Sequence, residues 1–270
     1  MSVTEMKFVV KVFWFTIYVC LLHSSQLFGT LAKRQVLLLN SLGQIRSEHS
    51  LVTEFFTKNN VTEIVFIPYA RVNASSYDMY TGMMQHALFG ENFTILGLHT
   101  FPDPVEAVKS AQGIYCSGGN SFVLLKRLYE SNLIDTIRKR VLEDGVPYMG
   151  SSAGSNVATH SIQTTNDMPI VYPPSFDGMN LVPFNINPHY VDTNTTWPRI
   201  FEGRDDRIRE FTVLNDTPVL ALREGTLVMI DDDKATLHGT RNALLFTRDA
   251  ETDYEPGSDL SFLLKPPTKP

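Results

Sequence analysis

From residue 35 onward, short apolar runs rich in β-forming residues alternate with longer stretches whose apolar residues recur at helical spacing. The predicted buried strands cover residues 35–40, 63–68, 93–98, 113–116 and 146–149. The predicted helices between them cover residues 47–58, 77–89, 104–110 and 121–144, the last divided near residues 131–132. This alternation predicts an α/β fold in which helices cover both faces of a parallel sheet. Ligands bind such sheets beyond the carboxyl ends of the strands.

After residue 162 the pattern changes. Residues 164–198 are rich in Pro, Asn and Asp, which predicts ordered loops. Closely spaced strands are then predicted at residues 219–222, 226–230, 234–237 and 243–247. Because no repeat and no long linker divides the chain, we expect a single domain over residues 33–250, followed by a C-terminal tail over residues 251–270.

Composition sets the broad class of the protein. Of the 270 residues, 43% are hydrophobic and 19% charged, which suits a well-buried core and excludes disordered, fibrous and disulfide-stapled classes. The formal net charge of −6 predicts no nucleic-acid partner. Two cysteines, Cys20 and Cys116, are too few for a disulfide framework or a zinc site, so no metal or other cofactor is expected.

The first 32 residues resemble a targeting segment. Lys7 precedes an apolar run at residues 8–22, and small residues follow it. A bilayer-spanning helix needs about 20 apolar residues, so the pattern favours a secretory signal peptide over residues 1–32. The alternatives are an uncleaved signal anchor and a leader bypassed by a downstream start. Without an anchor, no membrane partner is expected.

Glycosylation sequons also bear on the compartment. N-x-S/T triplets occur at Asn60, Asn73, Asn92, Asn194 and Asn215. Such triplets are used only in the secretory pathway, although they also occur by chance in cytosolic chains. Secretory entry is therefore the expectation, and a cytoplasmic location is the alternative.

Residues 150–154, Gly-Ser-Ser-Ala-Gly, fit the nucleophile-elbow pattern G-x-S-x-G. The predicted strand at residues 146–149 precedes them, and a predicted helix at residues 153–161 follows. A sharp turn here would raise Ser152 Oγ above the sheet, and the Ala153 N–H would face a developing oxyanion. The alternative is a small-residue turn that serves only packing. The position between strand and helix favours the nucleophile.

A second glycine turn, Ser117-Gly118-Gly119-Asn120, follows the strand at residues 113–116. Carboxyl ends of parallel strands share one edge of a sheet, so both turns should lie close together. The amides of Gly118 or Gly119 are therefore candidate oxyanion donors. The alternatives are a phosphate-binding loop or a plain turn. Nucleotide binding is disfavoured because no G-x-G-x-x-G pattern is present and no Lys-Ser/Thr pair follows the turn.

A nucleophilic serine needs a base, and the base needs an orienting partner. His189 lies in an extended polar segment, residues 185–190, stiffened by Pro188. Glu224 ends a predicted strand, and Asp167 lies in a loop after the elbow. Spacing alone does not choose between these two carboxylates. The other histidines of the globular part are His49, His86, His99, His160 and His238.

Three longer segments resemble the alpha-aspartyl dipeptidase (peptidase E) family: residues 148–156, residues 164–170 with Thr-Thr-Asn-Asp-Met-Pro-Ile, and residues 185–189 with Asn-Ile-Asn-Pro-His. Residues 116–121 resemble that family's glycine-rich oxyanion loop, with Ser117 where a third glycine is usual. The resemblance covers about residues 36–246. It implies a three-layer α/β/α sandwich with a mostly parallel sheet, similar to class I glutamine amidotransferases. It also implies cofactor-free hydrolysis of dipeptides with an N-terminal aspartate.

The resemblance assigns roles to the candidate residues. It makes Ser152 the nucleophile, His189 the general base and Glu224 the third member of the triad. The chain order Ser, His, Glu differs from the order Ser, Asp/Glu, His of α/β-hydrolases. The substrate would be a small peptide.

Recognition of a substrate aspartate requires a positive group. A bidentate arginine is the best complement of a carboxylate. Residues 204–210 resemble the family's R-x-x-R-I helix start, so Arg204 is the expected clamp and Arg207 the alternative. Arg207 also fits a solvated helix with Asp–Arg pairs. By analogy Asp167 would meet the substrate's amino group, and Asn120 is a further candidate contact.

Two other functions remain open. One is a related serine hydrolase acting on isoaspartyl or cyanophycin-like substrates. The other is a secreted binding protein that keeps the fold without turnover.

Overall fold

Two β-sheets organise the residues that this computed structural model describes, 33–86, 93–192 and 202–265. In chain order the strands are β1 Gln35–Leu39, β2 Glu63–Ile67, β3 Thr94–Gly97, β4 Gly113–Cys116, β5 Tyr148–Ser151, β6 Asn185–Tyr190, β7 Val219–Arg223, β8 Thr226–Asp231, β9 Lys234–Gly239, β10 Ala243–Phe246 and β11 Glu251–Tyr254. The larger sheet has the order β3-β2-β4-β5-β1-β8-β9, and the smaller sheet has the order β11-β10-β7-β6. The predicted leader, residues 1–32, lies outside the described residues.

The larger sheet is mostly parallel. Strands β3, β2, β4, β5 and β1 run in one direction, β8 joins antiparallel to β1, and β9 joins antiparallel to β8. The β8–β9 connection is a short turn, which suits only an antiparallel pair. Registers such as Cys116 with Gly150 and Leu39 with Ser151 bring the carboxyl ends of four central strands to one edge. The predicted mostly parallel α/β sheet is confirmed.

Helices cover both faces of this sheet. They are α1 Gly43–Ser47, α2 His49–Thr57, α3 Tyr77–Met84, α4 Pro104–Ser110, α5 Ser121–Glu130, α6 Leu133–Leu142 and α7 Ala153–Ala158. A further helix, α8 Arg204–Leu214, packs on the smaller sheet. Successive strand residues point to opposite faces. Leu37 therefore packs in one apolar cluster with Phe55 of α2, whereas Leu38 packs in another with Leu124 of α5. The result is three layers, as expected.

The smaller sheet carries the second half of the chain. Strand β6 pairs parallel to β7, and β10 joins β7 to β11 in antiparallel fashion. Ile208 of α8 packs on this sheet with Val219 and Phe246. A two-residue turn at Glu224 and Gly225 leads from β7 directly into β8 of the larger sheet. The two sheets therefore meet at this turn.

Strand β6 lies inside the segment predicted as loops. Its polar residues Asn185 and Asn187 are buried, because their side chains are satisfied by hydrogen bonds with Ser161 and Thr164. Buried asparagine is indistinguishable from loop asparagine by composition, so the loop prediction was wrong for these residues.

Other helix and strand boundaries differ from the predicted ones by a few residues. Strand β5 begins at Tyr148, two residues after the predicted start, just beyond Pro147, which lacks an N–H to donate. The helix predicted at residues 47–58 is α2, His49–Thr57, and a short helix that the sequence did not predict, α1, precedes it at Gly43–Ser47. Helix α7 ends at Ala158, short of residue 161.

The predicted domain end at residue 250 differs from the structure. Strand β11 pairs with β10, and the Leu260 N–H donates to the Ala235 carbonyl at 2.8 Å. Leu260 and Leu263 are buried in the main apolar cluster. The apolar residues of this stretch are confined to Leu260, Phe262, Leu263 and Leu264, between the polar residues 255–259 and the Pro-rich end of the chain, so the sequence gives only a weak signal that the domain continues. Across residues 33–86, 93–192 and 202–265, no helix has both the length and the apolar character of a membrane span.

Candidate active site

Ser152 lies at the sharp turn between β5 and α7. Its φ of 52° and ψ of −109° are unusual for a residue with a side chain. The Ser152 N–H donates to the Leu39 carbonyl of β1 at 3.0 Å. The Ser155 hydroxyl lies 2.8 Å from both the Leu39 and Gly150 carbonyl oxygens, to which it donates. These hydrogen bonds fix the strained turn to the neighbouring strand.

Close backbone packing explains the two glycines of the G-x-S-x-G pattern. A methyl group at Gly154 would lie 2.0 Å from the Cys116 carbonyl oxygen, and one at Gly150 would lie 2.5 Å from the Gly154 carbonyl oxygen. The Tyr148 hydroxyl donates to the same Gly154 carbonyl at 2.6 Å. Only glycine fits at either position.

The glycine turn at residues 117–120 passes next to Ser152. A methyl group at Gly118 would lie 3.2 Å from Ser152 Cβ. Gly119 has a φ of 151°, and a methyl group there would lie 2.4 Å from the Ala70 carbonyl oxygen. Within the described part of the chain, the N–H groups of Gly118, Gly119 and Ala153 have no acceptor. These amides are therefore available to an oxyanion next to Ser152.

Ser117 stands where the peptidase E family usually has a glycine, and its side chain has a structural role. Its side chain is fully buried, and both its N–H and its hydroxyl donate to the Ile67 carbonyl of β2, at 3.2 and 3.1 Å. The extra hydroxyl thus fastens the glycine turn to β2.

His189 connects Ser152 with Glu224. His189 Nε2 lies 2.9 Å from Ser152 Oγ, and His189 Nδ1 lies 2.5 Å from Glu224 Oε1. Because an ionised carboxylate only accepts hydrogen bonds, Nδ1 carries the proton and Nε2 can accept one from the serine. The His189 and Glu224 side chains are 41% and 56% exposed, so a solute can reach them.

Asn40 holds the His189 backbone in place. His189 adopts a φ of 56°, and its N–H donates to Asn40 Oδ1 just beyond β1. Asn40 itself is fully buried. This bond ties β6 to the larger sheet where Ser152 lies. The role of Asn40 was not visible in the sequence, because no spacing rule relates it to a residue 149 positions away.

The tight turn after β7 places Glu224. Gly225 has a φ of 89°, and its carbonyl accepts the Thr240 N–H at 2.9 Å. The Thr226 hydroxyl donates to the Arg223 carbonyl at 2.7 Å and closes the turn from the other side. The Glu-Gly pair therefore directs Glu224 from the junction of the sheets toward His189.

Asp167, the competing carboxylate, lies elsewhere. It accepts the Ser121 N–H at 2.7 Å and the Thr165 hydroxyl at 3.2 Å. Of the two carboxylates, the structure brings Glu224 to His189.

Among the histidines considered, His189 contacts Ser152. His99 lies 2.8 Å from Asp78, and His238 lines a separate cavity, where burial lowers its pKa.

The Asn120 side chain forms two hydrogen bonds within the protein. Its Oδ1 accepts the Val123 N–H at 3.1 Å and caps α5, while its Nδ2 donates to the Met168 carbonyl at 2.9 Å. The predicted contact of Asn120 with the substrate stays a prediction.

Arg204, Arg207 and Asp167 surround one cavity of about 200 Å³. Arg204 Nη1 is buried and has no hydrogen-bond partner among the described residues, whereas Arg207 is exposed. The cavity is also lined by Asn166, whose Nδ2 donates at 2.6 Å to the carbonyl of Pro188, the residue before His189. The cavity therefore adjoins the histidine segment and carries both charge signs.

Ion pairs link parts of the smaller sheet through Arg223, the residue before Glu224. Arg223 Nη2 lies 2.6 Å from Asp192 Oδ1, and its Nη1 lies 2.7 Å from Asp253 Oδ1. Hydrogen bonds from this guanidinium lower the pKa of Asp192. In residues 33–86, 93–192 and 202–265, no group of three or more His, Cys, Asp or Glu side chains is placed to hold a metal ion.

Comparison with known proteins places this geometry in a family. A sequence model of peptidase family S51 matches residues 37–238. The chain is 48% identical to a probable alpha-aspartyl dipeptidase of Drosophila melanogaster, over 86% of this chain and 98% of the relative. It is 44% identical to peptidase E of Streptomyces coelicolor, over 80% and 88% of the two chains.

Solved structures support the fold. A peptidase from an acI-B1 actinobacterium superposes with a TM-score of 0.65 at 19% identity, covering 86% of this chain and 98% of the other. A candidate peptidase E from Listeria monocytogenes superposes with a TM-score of 0.58 at 22% identity, covering 77% and 100%. The matched sequence model and the long alignments show that this chain belongs to peptidase family S51.

Proposed function

We propose that this protein is a serine exopeptidase that hydrolyses dipeptides carrying an N-terminal aspartate, with Ser152, His189 and Glu224 as its catalytic triad. The observation that carries the proposal is the continuous chain of contacts from Ser152 Oγ through the imidazole to Glu224, at 2.9 and 2.5 Å. The names of the relatives from Drosophila melanogaster and Streptomyces coelicolor support the substrate class.

Each member of the triad has one task. Ser152 Oγ attacks the carbonyl carbon of the substrate aspartate while His189 Nε2 takes the hydroxyl proton. Glu224 holds the Nδ1 proton and stabilises the imidazolium that forms. His189 then gives the proton to the leaving amine, and water hydrolyses the acyl-enzyme by the same route in reverse.

The glycine turn and the elbow stabilise the developing negative charge. The N–H groups of Gly118 or Gly119 and of Ala153 lie beside Ser152 without acceptors in the described structure. Each donor to an oxyanion contributes about 3 kcal/mol of transition-state stabilisation in comparable enzymes.

Substrate selection is assigned to the neighbouring cavity. The buried, unpaired Nη1 of Arg204 suits the side-chain carboxylate of the substrate. Asp167, which lines the same cavity, suits the substrate's α-amino group. A volume of about 200 Å³ accommodates one small amino acid with both of these charges.

The test compares two adjacent serines. Ser152→Ala should abolish turnover of Asp-Leu, because the attacking oxygen is lost. Ser151→Ala is the matched control, since the Ser151 hydroxyl contacts Tyr115 inside the core at 3.1 Å rather than His189. It should keep kcat within about threefold of wild type. Undiminished turnover by folded Ser152→Ala protein would reject the triad.

The substrate class is tested with α-Asp, β-Asp and neutral dipeptides. Arg204→Met should raise KM for Asp-Leu by about 30-fold, which corresponds to loss of one charge-assisted hydrogen bond. The same variant should leave the weak hydrolysis of Ala-Leu unchanged. A preference of the wild type for β-Asp over α-Asp would instead favour an isoaspartyl hydrolase.

We also propose that the chain enters the secretory pathway. The basic-apolar-small order of residues 1–32 supports this, as do the exposed positions of Asn60 and Asn73. The Asn92 and Asn194 sequons lie outside the described residues. N-terminal sequencing of the protein from eukaryotic cells should find the leader removed, and peptide N-glycosidase F should increase its gel mobility. An intact Met1 with unchanged mobility would indicate a cytoplasmic protein.

A further inference from the structure

A single arginine near the glycine turn forms hydrogen bonds with several residues of one loop, and this loop contributes no residue to the triad. Arg127 lies in the last turn of α5, and the two N–H groups of its Nη1 face three acceptors: the Tyr69 carbonyl at 2.9 Å, the Arg71 carbonyl and the Tyr77 hydroxyl. Its Nη2 donates to the Val72 carbonyl at 3.1 Å. These acceptors all lie in or just after residues 68–73, the loop that follows β2. We call residues 68–73 the β2 loop.

The β2 loop in turn supports the glycine turn. The Ala70 carbonyl accepts the Asn120 N–H at 3.0 Å, and Ala70 is buried. Gly119 packs so closely on the same carbonyl that a methyl group there would lie 2.4 Å from its oxygen. Any outward movement of Ala70 would therefore remove the surface on which Gly119 rests.

Within the β2 loop, the Arg71 N–H donates to the Pro68 carbonyl at 3.1 Å and the Ala70 side chain packs in the main apolar cluster. Three backbone carbonyls of the β2 loop accept hydrogen bonds from Arg127. These carbonyls, at residues 69, 71 and 72, point toward the guanidinium rather than toward a neighbouring strand. Irregular backbone without ladder hydrogen bonds moves easily unless side chains satisfy its polar groups. A planar guanidinium with several fixed donors can satisfy these carbonyls together, which a lysine cannot do.

We propose that Arg127 is a positioning residue for the oxyanion hole: it fixes the β2 loop, and through Ala70 it sets the position of the Gly118 and Gly119 amides beside Ser152. This inference rests on the proposed serine-peptidase function. Arg127 touches neither the triad nor the cavity lined by Arg204 in the described structure. It acts on the transition state, where the oxyanion exists, and not on binding of the dipeptide.

The experiment measures kcat and KM separately for Asp-Leu. A displacement of the amides by about 1 Å is expected to lower kcat by about 10- to 100-fold in Arg127→Ala. KM should stay within about twofold of wild type, because ground-state contacts are unchanged. Arg127→Lys should give an intermediate kcat, and it also provides a measurable protein if the alanine variant fails to fold.

Arg140→Ala is the matched control. Arg140 also donates from a helix to a backbone carbonyl, that of Ala111 at 3.0 Å, but Ala111 lies at the amino end of β4, whereas Ser152 follows the carboxyl end of β5. Thermal unfolding of both variants shows whether they lose similar stability. The control should keep the wild-type kcat. An equal fall of kcat in both variants would mean that Arg127 has only a general structural role.

A second readout separates the oxyanion hole from the nucleophile. In a Ser152→Cys background, alkylation of the introduced thiol by iodoacetamide passes through no oxyanion, so Arg127→Ala should leave its rate unchanged. Cys116 does not interfere, because burial raises the pKa of its thiol to about 12. A matching fall in the alkylation rate would overturn the proposal by showing that the variant disturbs the triad itself.

Labelling of Ser152 by a fluorophosphonate separates failure of the substrate assignment from failure of the positioning role, because this reaction uses the oxyanion hole without a peptide. If the wild type labels but does not cleave Asp-Leu, the substrate assignment fails and the labelling rate of Arg127→Ala still tests the positioning role. If the wild type cleaves Asp-Leu and Arg127→Ala does so with undiminished kcat, the positioning role alone fails. A wild type that neither labels nor cleaves removes both.

Discussion

The two sheets contribute to the active site by different physical means. The larger sheet supplies Ser152 and the glycine turn, and its central strands are buried on both faces by apolar side chains. The smaller sheet supplies His189 and leads into Glu224, and it is fastened at its edge by ion pairs of Arg223 and Arg209. Packing thus fixes the nucleophile, whereas charge and a few hydrogen bonds bring the base to it.

The two regions should differ in how well they tolerate substitutions. Around Ser152, backbone touches backbone, so even one added methyl group has no space. Around His189 and Glu224 the side chains are partly exposed, and their partners can be altered without disturbing the core. Substitution of the glycines packed beside Ser152 should therefore cost stability, and substitution of His189 or Glu224 should cost catalysis.

The largest expected effect is on the larger sheet. Gly154→Ala places a methyl group 2.0 Å from the Cys116 carbonyl, and backbone cannot yield as a side chain would. We expect a loss of more than about 4 kcal/mol in the free energy of unfolding, measured by urea titration. Gly82→Ala in α3 is the control, because nothing lies within 4 Å of the added group. It should stabilise the protein by about 0.5–1 kcal/mol, and equal losses in both variants would refute the packing argument.

The next effect is on the histidine's partner. Glu224→Gln removes the negative charge that orients and stabilises the imidazolium, so kcat for Asp-Leu should fall roughly 10²- to 10⁴-fold. Unfolding should change by less than about 0.5 kcal/mol, because the side chain is largely exposed. Asp167→Asn is the comparison, and it should raise KM instead. A larger loss of kcat in Asp167→Asn would assign the orienting role to Asp167.

The smallest effect concerns the ion pairs of the smaller sheet. Arg223→Met leaves Asp192 and Asp253 without their shared partner and should cost about 1–2 kcal/mol, since both carboxylates are half exposed. Arg248→Met breaks the exposed pair with Asp216 and should cost less than about 0.5 kcal/mol. Urea titration of both variants measures the difference, and equal losses would contradict a special role for Arg223.

The same pair predicts a pH dependence. Arg223 lowers the folded-state pKa of Asp192, so its stabilisation is present above the unfolded value of about 3.9 and is lost as pH falls through the folded value. Thermal unfolding below pH 4 should therefore be more pH-sensitive in wild type than in Arg223→Met. Parallel curves would contradict this pairing.

The sequence predicted the larger sheet better than the smaller one. Strand β4 at residues 113–116 and helix α4 at residues 104–110 were predicted to the residue, because apolar spacing and turn residues are local signals. The elbow and the glycine turn were visible for the same reason. The Glu224 turn was visible as a Glu-Gly pair, but its pairing with His189 followed only from the family resemblance, because spacing did not choose between Glu224 and Asp167.

What remained hidden depends on contacts between distant residues. Asn40 reaches His189 across 149 positions, and β6 is a strand because Ser161 and Thr164 satisfy its buried asparagines. The role of Asn120 in capping α5, through the Val123 N–H, was likewise not visible in the sequence. Polar residues of this kind have the same appearance in a loop, a cap and a core, so only tertiary structure separates them.

Ser152 and His189 come from different sheets, and catalysis requires that they act as one unit. The most direct measurement is the rate at which a fluorophosphonate modifies the protein, with the modified residue located by peptide mass spectrometry. We expect a single adduct on Ser152, formed at least about 100-fold more slowly in His189→Gln. Modification of a different serine, or an unchanged rate without the imidazole, would contradict the meeting of the two sheets in one catalytic site.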